Sequence, residues 1–92
     1  MTDNAEVYLK ICNQKGLHAR AAAAFVKCLT DIDAEVTVEK DGQVADGSSI
    51  LSLMMLAASK GCTIKISATG SEAEKAIQSL TNLINSRFGE DV

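Results

Sequence analysis

The chain reads as an α/β two-layer open-faced sandwich, with an antiparallel four-stranded sheet covered on one face by three helices. Three observations carry that expectation. Stretches alternating with period two and stretches with 3.6-residue periodicity follow one another in the order β-α-β-β-α-β-α. An Asp41-Gly42 pair joins the two central strand candidates, and such a tight turn requires antiparallel neighbours. Each strand candidate is apolar on one side only, so one face of the sheet needs a helical cover while the other meets water.

Glu6 to Ile11 alternates, with Val7, Leu9 and Ile11 on the inner side, and Asn13-Gln14-Lys15-Gly16 follows as a polar loop. The first helix is expected from Ala19 to Thr30. Ala22, Phe25, Val26 and Leu29 form its apolar side, Arg20 and Lys27 lie opposite, and Asp31-Ile32-Asp33 ends it. Ala34 to Glu39 alternates strictly, with Ala34, Val36 and Val38 inward. After the turn, the return strand over residues 43–45 is short and polar, as suits a sheet edge. Asp46-Gly47-Ser48-Ser49 reads as a loop and N-cap, with Ser48 able to share the capping with Ser49.

The second helix is expected over residues 50–60, stopped by Gly61. It is apolar nearly all round. Ile50, Leu53 and Ala57 share one face, while Leu51 and Met55 point away from Leu53. A short helix in a small domain cannot bury every side, so an exposed apolar patch suited to docking is expected there. Methionine, with its flexible thioether, fits that use. Cys62 to Thr69 alternates with Ile64, Ile66 and Ala68 inward, and Gly70 breaks it. Ser71-Glu72-Ala73-Glu74 has the form of a capping box. The last helix then places Ala73, Ala76, Ile77, Leu80, Leu83, Ile84 and Phe88 on one face, and Gly89-Glu90-Asp91-Val92 reads as a frayed tail.

The 92 residues suffice for one domain, spanning 1–92, with a single core. Only Tyr8, Phe25 and Phe88 are aromatic, so the core must be aliphatic and a base-stacking platform is absent. A net charge of −3 without a Lys/Arg block argues against a nucleic-acid partner. Neither a signal-peptide pattern nor a membrane-spanning apolar run occurs, so a cytoplasmic protein with no membrane partner is expected. Cys12, Cys28 and Cys62 are scattered and form no Cys-x-x-Cys pair. With one histidine they make no metal-ligand spacing, so no metal and no redox chemistry are expected.

The chemistry concentrates in Lys15-Gly16-Leu17-His18-Ala19-Arg20-Ala21-Ala22. A glycine turn precedes the one histidine, and a helix opens directly after it. The first N–H groups of a helix have no intrahelical partner, and the positive end of its dipole favours an anion there. Arg20, in the first turn, adds a planar fork suited to phosphate oxygens. A histidine beside an anion site has what it needs to accept a phosphoryl group. Taken alone, a histidine near a helix start is more often a cap or a surface residue; the rest of the chain gives it weight.

These residues resemble the histidine-containing phosphocarrier (HPr) family of the phosphoenolpyruvate-dependent phosphotransferase system, and the likeness runs from about Val7 to Phe88. The family signature Gly-[Ile/Leu]-His-x-Arg-Pro-Ala is matched by Gly16, Leu17, His18, Ala19, Arg20 and Ala22. A second family segment is matched by Ser49-Ile50-Leu51-Ser52-Leu53-Met54-Met55-Leu56 with Lys60-Gly61. Leu53 to Leu56 and the ending Leu83 to Asp91 look more like the nitrogen-branch relative, NPr. One position departs: the family proline after the arginine is Ala21, which keeps the helix but adds an N–H and loosens the turn.

The resemblance implies a stoichiometric carrier rather than an enzyme, without a cofactor. His18 takes a phosphoryl group from phosphorylated Enzyme I, as a pros-phosphohistidine, and passes it to an EIIA-type acceptor. Arg20 and the helix start at Ala19 and Ala21 hold the phosphate charge, and any Mg²⁺ belongs to the partner enzyme. Leu51, Met54 and Met55 are implied docking contacts. Ser49 matches the serine modified by HPr kinase/phosphorylase in some bacterial lineages. A monomer is expected. The competing class is a small-molecule- or protein-binding regulatory module of ferredoxin-like type without phosphoryl transfer, against which the extra C-terminal helix and the Gly-Leu-His-Ala-Arg start weigh. Whether the traffic is sugar uptake or nitrogen regulation is not written in the sequence.

Overall fold

Alternation in four stretches lines one face of a sheet with branched side chains, and the chain threads that sheet in the order β1-β4-β2-β3. A computed structural model describes residues 3–92. Its elements are β1 (Asp3–Lys10), α1 (Ala19–Cys28), β2 (Glu35–Lys40), β3 (Gln43–Asp46), α2 (Ile50–Met55), β4 (Thr63–Gly70) and α3 (Ala73–Asn85), then a 3₁₀ turn, Arg87–Gly89. All three strand pairings are antiparallel: β1 with β4, β4 with β2, and β2 with β3. The fold class and element order are those expected from the alternation.

Register places Val7 opposite Ile66 and Leu9 opposite Ile64, while Val38 lies opposite both Ile66 and Ala45. Val36, Val38, Ile64, Ile66 and Ala68 are buried beneath the helices, with Ala22 and Phe25 of α1 and Ala73, Ala76, Leu80 and Ile84 of α3. Asp41 and Gly42 both have positive φ, 52° and 82°, the signature of the two-residue hairpin turn whose twist matches its strands. Among the described residues, no helix is long and apolar enough to cross a membrane.

Five expectations need correction. Helix α2 has six residues and ends at Met55, well before Lys60 and Gly61. Leu56 closes it and Ala57 turns left-handed at φ 52°, which frees the chain to bring the Ala58 carbonyl under Leu17. Ile50 and Ala57 are therefore exposed, and Leu53 alone is buried within α2. Ser48 does not share the capping: its N–H and hydroxyl both donate to Asp46 Oδ1. The capping box does not form either, because Ser71 donates to Asp33 Oδ2 and Glu72 Oε1 accepts the Asp33 N–H at 2.7 Å. These bonds tie the start of α3 to the loop before β2 instead of to α3 itself. Phe88 leaves the α3 face, since the helix ends at Asn85. Nor is the tail frayed, as Glu90 is hydrogen-bonded.

Candidate functional site

The loop between β1 and α1 is pinned from below. Ile11 N–H donates to Cys62 O at 2.9 Å, Gly61 N–H to Ile11 O at 2.8 Å, and Leu17 N–H to Ala58 O at 2.8 Å. Gly16 sits at φ 66°, and a Cβ there would collide with the Ala58 carbonyl and lie 2.8 Å from Ser59 Cα. Glycine is required at this crossing on both counts. The crossing fixes where the next residue but one, His18, emerges.

His18 occupies the N-cap position of α1 with extended backbone, and its side chain caps nothing. Its carbonyl accepts the Ala22 N–H at 2.8 Å, so the N–H groups of Ala19, Arg20 and Ala21 open the helix without intrahelical partners. Ala19 and Arg20 are exposed and Ala21 is buried. Among the described residues Arg20 makes no ion pair or side-chain hydrogen bond, which leaves its guanidinium available. The imidazole is 25% exposed, enough to be reached without being free to wander.

One side chain from the far end of the chain meets it. His18 Nε2 lies 2.6 Å from Glu90 Oε2, while Asn13 Nδ2 donates to Glu90 Oε1 at 3.1 Å and to Gly16 O at 2.8 Å. Arg87, Phe88 and Gly89 take positive φ values of 59°, 55° and 78° in succession, and this reverses the chain so that Glu90 returns over Asn13. Left-handed backbone costs about 1–2 kcal/mol at a residue other than glycine, and partial burial of Phe88 against the core offsets it. The hydrogen bond from His18 chiefly holds the Glu90 carboxyl below the usual range; burial opposes it, and the Asn13 hydrogen bond and the nearby charges of His18 and Lys15 add smaller pulls in the same direction as His18.

Two hollows lie in this region, one against the imidazole and one against Glu90. One, of about 210 Å³, is lined by Lys15, Leu17, His18 and Ala57–Ser59. The other, of about 370 Å³, is lined by Lys15, Arg20 and the segment Phe88–Val92. Lys15 borders both, Arg20 borders only the second, and the Glu90 carboxylate touches the histidine. A larger hollow of about 610 Å³ between α1, β2 and β3 contains neither histidine nor a cation and lies away from this chemistry.

The structure thus sets His18 at the open start of α1, with Arg20 in the first turn of that helix. Ser49 stands apart as the N-cap of α2, its Oγ accepting the Ser52 N–H at 3.1 Å. Leu51, Met54 and Met55 are exposed at 69%, 39% and 65%, so the apolar patch exists. Sequence reasoning assigned no role to Asn13, Lys15 or Glu90. Asn13 and Lys15 belong to a stretch whose sequence signals only a polar loop, and no local pattern marks a carboxylate 72 positions away as a neighbour of His18. The three cysteines are free and half-buried.

The sequence profile described as "PTS HPr component phosphorylation site" matches residues 5–86. The phosphocarrier protein HPr of Neisseria meningitidis is 43% identical over 89% of this chain and 92% of its own length. The phosphocarrier protein NPr of Escherichia coli is 38% identical over 90% of this chain and 93% of its own. A crystal structure of HPr from Thermoanaerobacter tengcongensis superposes with a TM-score of 0.91 at 42% identity, covering 96% of this chain and 99% of that one. The β-α-β-β-α-β-α sandwich and the sequence likeness extend along nearly the whole length of these proteins, and the chain belongs to the HPr family of phosphotransferase-system phosphocarriers.

Proposed function

We propose that this chain, acting as a single domain over residues 1–92, accepts a phosphoryl group on His18 from phosphorylated Enzyme I and passes it to an EIIA-type acceptor. It does so as a stoichiometric carrier in the cytoplasm, not as an enzyme. The observation that supports this reading is an accessible, non-capping imidazole at the open start of α1, with Lys15 lining the hollow beside it and Arg20 in the first turn of the helix. In the transfer, Nδ1 attacks phosphorus in line, a new N–P bond forms, and the bond from phosphorus to the donor's nitrogen breaks. Charge spreads over the three equatorial oxygens, and electrostatic stabilisation supplies most of the catalysis in such a step. Arg20 and the N–H groups of Ala19 and Ala21 are the donors assigned to those oxygens. Ala21 in the place of the family proline contributes an additional N–H.

Partner docking is assigned to Leu51, Met54 and Met55, whose exposed apolar surface serves transient association. The likeness to both HPr and NPr supports the carrier role and leaves the sugar and nitrogen branches to be separated by the acceptor used. The deciding experiment incubates the protein with Enzyme I and phosphoenolpyruvate, comparing wild type with His18→Ala. Acid-labile, alkali-stable label on wild type alone is the expected result. A folded wild type that stays unlabelled, or a variant that takes the label, overturns the assignment.

A further inference from the structure

The bond between the tail and His18 has a consequence for which ring nitrogen reacts. An ionised carboxylate can only accept hydrogen bonds, so the 2.6 Å contact with Glu90 Oε2 requires a proton on His18 Nε2. In the neutral ring the lone pair then lies on Nδ1, which has no hydrogen-bond partner among the described residues. Asn13 sets the carboxylate in turn. Both donors of its amide are engaged, by Gly16 O and by Glu90 Oε1, and its Oδ1 is left buried without a partner. A buried polar atom left unpaired is unfavourable, so an arrangement that tolerates one beside the reactive side chain points to a use for the other two bonds.

We propose that Glu90 is a positioning residue for phosphoryl transfer: oriented by Asn13, its carboxylate holds the His18 ring in the Nε2–H tautomer and presents Nδ1 as the nucleophile. This rests on the carrier reading above and deepens it. During transfer the Nε2 proton stays in place. The N–P bond forms at Nδ1, the bond from phosphorus to the donor breaks, and the positive charge that appears on the ring faces the carboxylate across the existing hydrogen bond. No proton has to leave for the step to balance. On return of the phosphoryl group to an acceptor, the same neutral tautomer is regenerated. The pull of His18 on the Glu90 carboxyl, which keeps it ionised into acid, agrees with this arrangement. Lys15 and Arg20, which line the hollow on the side of Glu90, are free to meet the phosphate rather than being neutralised by an ion pair with the tail.

The test uses the full chain and its single histidine, which makes the ring nitrogens directly readable by ¹⁵N NMR without assignment among several rings. Glu90→Gln keeps the shape, yet its amide can donate to a bare Nε2 as readily as it accepts from Nε2–H, so the bias between tautomers is lost. The expected result is an Nε2–H ring in wild type, a mixture in Glu90→Gln, and recovery in Glu90→Asp, which restores a carboxylate that can only accept. With Enzyme I, Glu90→Gln should be phosphorylated about tenfold more slowly, the loss falling on kcat rather than KM for this protein as substrate. Circular dichroism confirms that the variant is folded. An unchanged tautomer overturns the proposal, and so does an unchanged rate. A faster rate overturns it in favour of a tail that shields the site. Because the NMR measurement needs no phosphoryl donor, failure of the tautomer claim is distinguishable from failure of the carrier reading, which shows as a wild type that takes no label.

Discussion

Helices α1 and α2 both open on a residue with extended backbone, and the two residues use their side chains in opposite ways. Ser49 turns its Oγ back to the Ser52 N–H and satisfies its own helix. His18 caps nothing, and its imidazole is held by Glu90, from the other end of the chain. A capped start gains stability locally, because the side chain satisfies one of the open N–H groups there. An uncapped start keeps its N–H groups open to an anion, and its geometry must come from elsewhere. Here it comes from the Gly16 crossing, the Leu17 bond to Ala58 and the return of the tail. The difference shows where the molecule places stability and where it places chemistry.

The most severe way to break that contrast is Gly16→Ala. The new methyl group meets the Ala58 carbonyl and Ser59 Cα while the backbone is held at φ 66°. Left-handed strain and overpacking together should cost about 2–4 kcal/mol. Urea unfolding measures this directly, and phosphorylation at His18 should fall along with it as the loop shifts. A loss of less than about 0.5 kcal/mol, the range of a neutral surface change, would mean the crossing does not hold the site.

The next contrast is at Ser49. Ser49→Ala removes the α2 cap and should cost about 1 kcal/mol, with His18 still labelled at the wild-type rate. Ser49→Asp retains a capping oxygen, so stability should stay near wild type. It adds a negative charge beside the docking patch, however, and a phosphate there would add about −1.5 to −2. Slower acceptance from Enzyme I by Ser49→Asp is therefore expected. Transfer at the wild-type rate would show that the α2 start does not communicate with partners of His18.

Much of this contrast was legible in the sequence, and the part that was not has a physical cause. Val36, Val38, Ile64, Ile66 and Ala68 are inward as their alternation requires, because a sheet with one covered face leaves no other choice. His18 at a helix start and the cap at Ser49 follow from local turn chemistry. Helix α2 stops short of the expected Lys60 although Leu56, Ala57 and Ala58 have good helix propensity, because the bond from Leu17 to Ala58 comes from 41 positions away. The apparent capping box at Ser71 failed in the same manner, as Asp33 competes for both side chains. Glu90 was invisible for the strongest version of this reason. Its partners Asn13 and His18 lie at the opposite end of the chain, and the three left-handed residues that deliver it include only one glycine.

Exposed residues on α2 sharpen the comparison from the partner's side. Leu51 and Met54 are 69% and 39% exposed, so Leu51→Ala and Met54→Ala should change stability by less than about 0.5 kcal/mol. They should nevertheless raise KM for this protein in the Enzyme I reaction, since the apolar contact is lost only on association. Unchanged KM in the double variant would remove α2 from the docking surface.

The smallest effect concerns the turn just before Ser49. Asp46 Oδ1 accepts the Ser48 N–H at 2.9 Å and the Ser48 hydroxyl at 2.8 Å, and these bonds, the backbone one first, hold its carboxyl below the usual range. A carboxyl lowered in the folded state stabilises fully above its ordinary value, and that contribution is lost as pH falls through the lowered one. The Ser48 amide proton should therefore titrate with a midpoint below that of a free aspartate, moving as its acceptor is protonated. The Ser52 amide should not move with it, because its acceptor is the Ser49 hydroxyl, which does not titrate in this range. If both amides shift together, the turn and the cap form one unit, and the second helix start depends on the neighbouring Asp46 charge as the first depends on the distant Glu90. If Ser48 alone responds, the α2 start is self-sufficient, and reliance on the rest of the chain is confined to the end that carries the histidine.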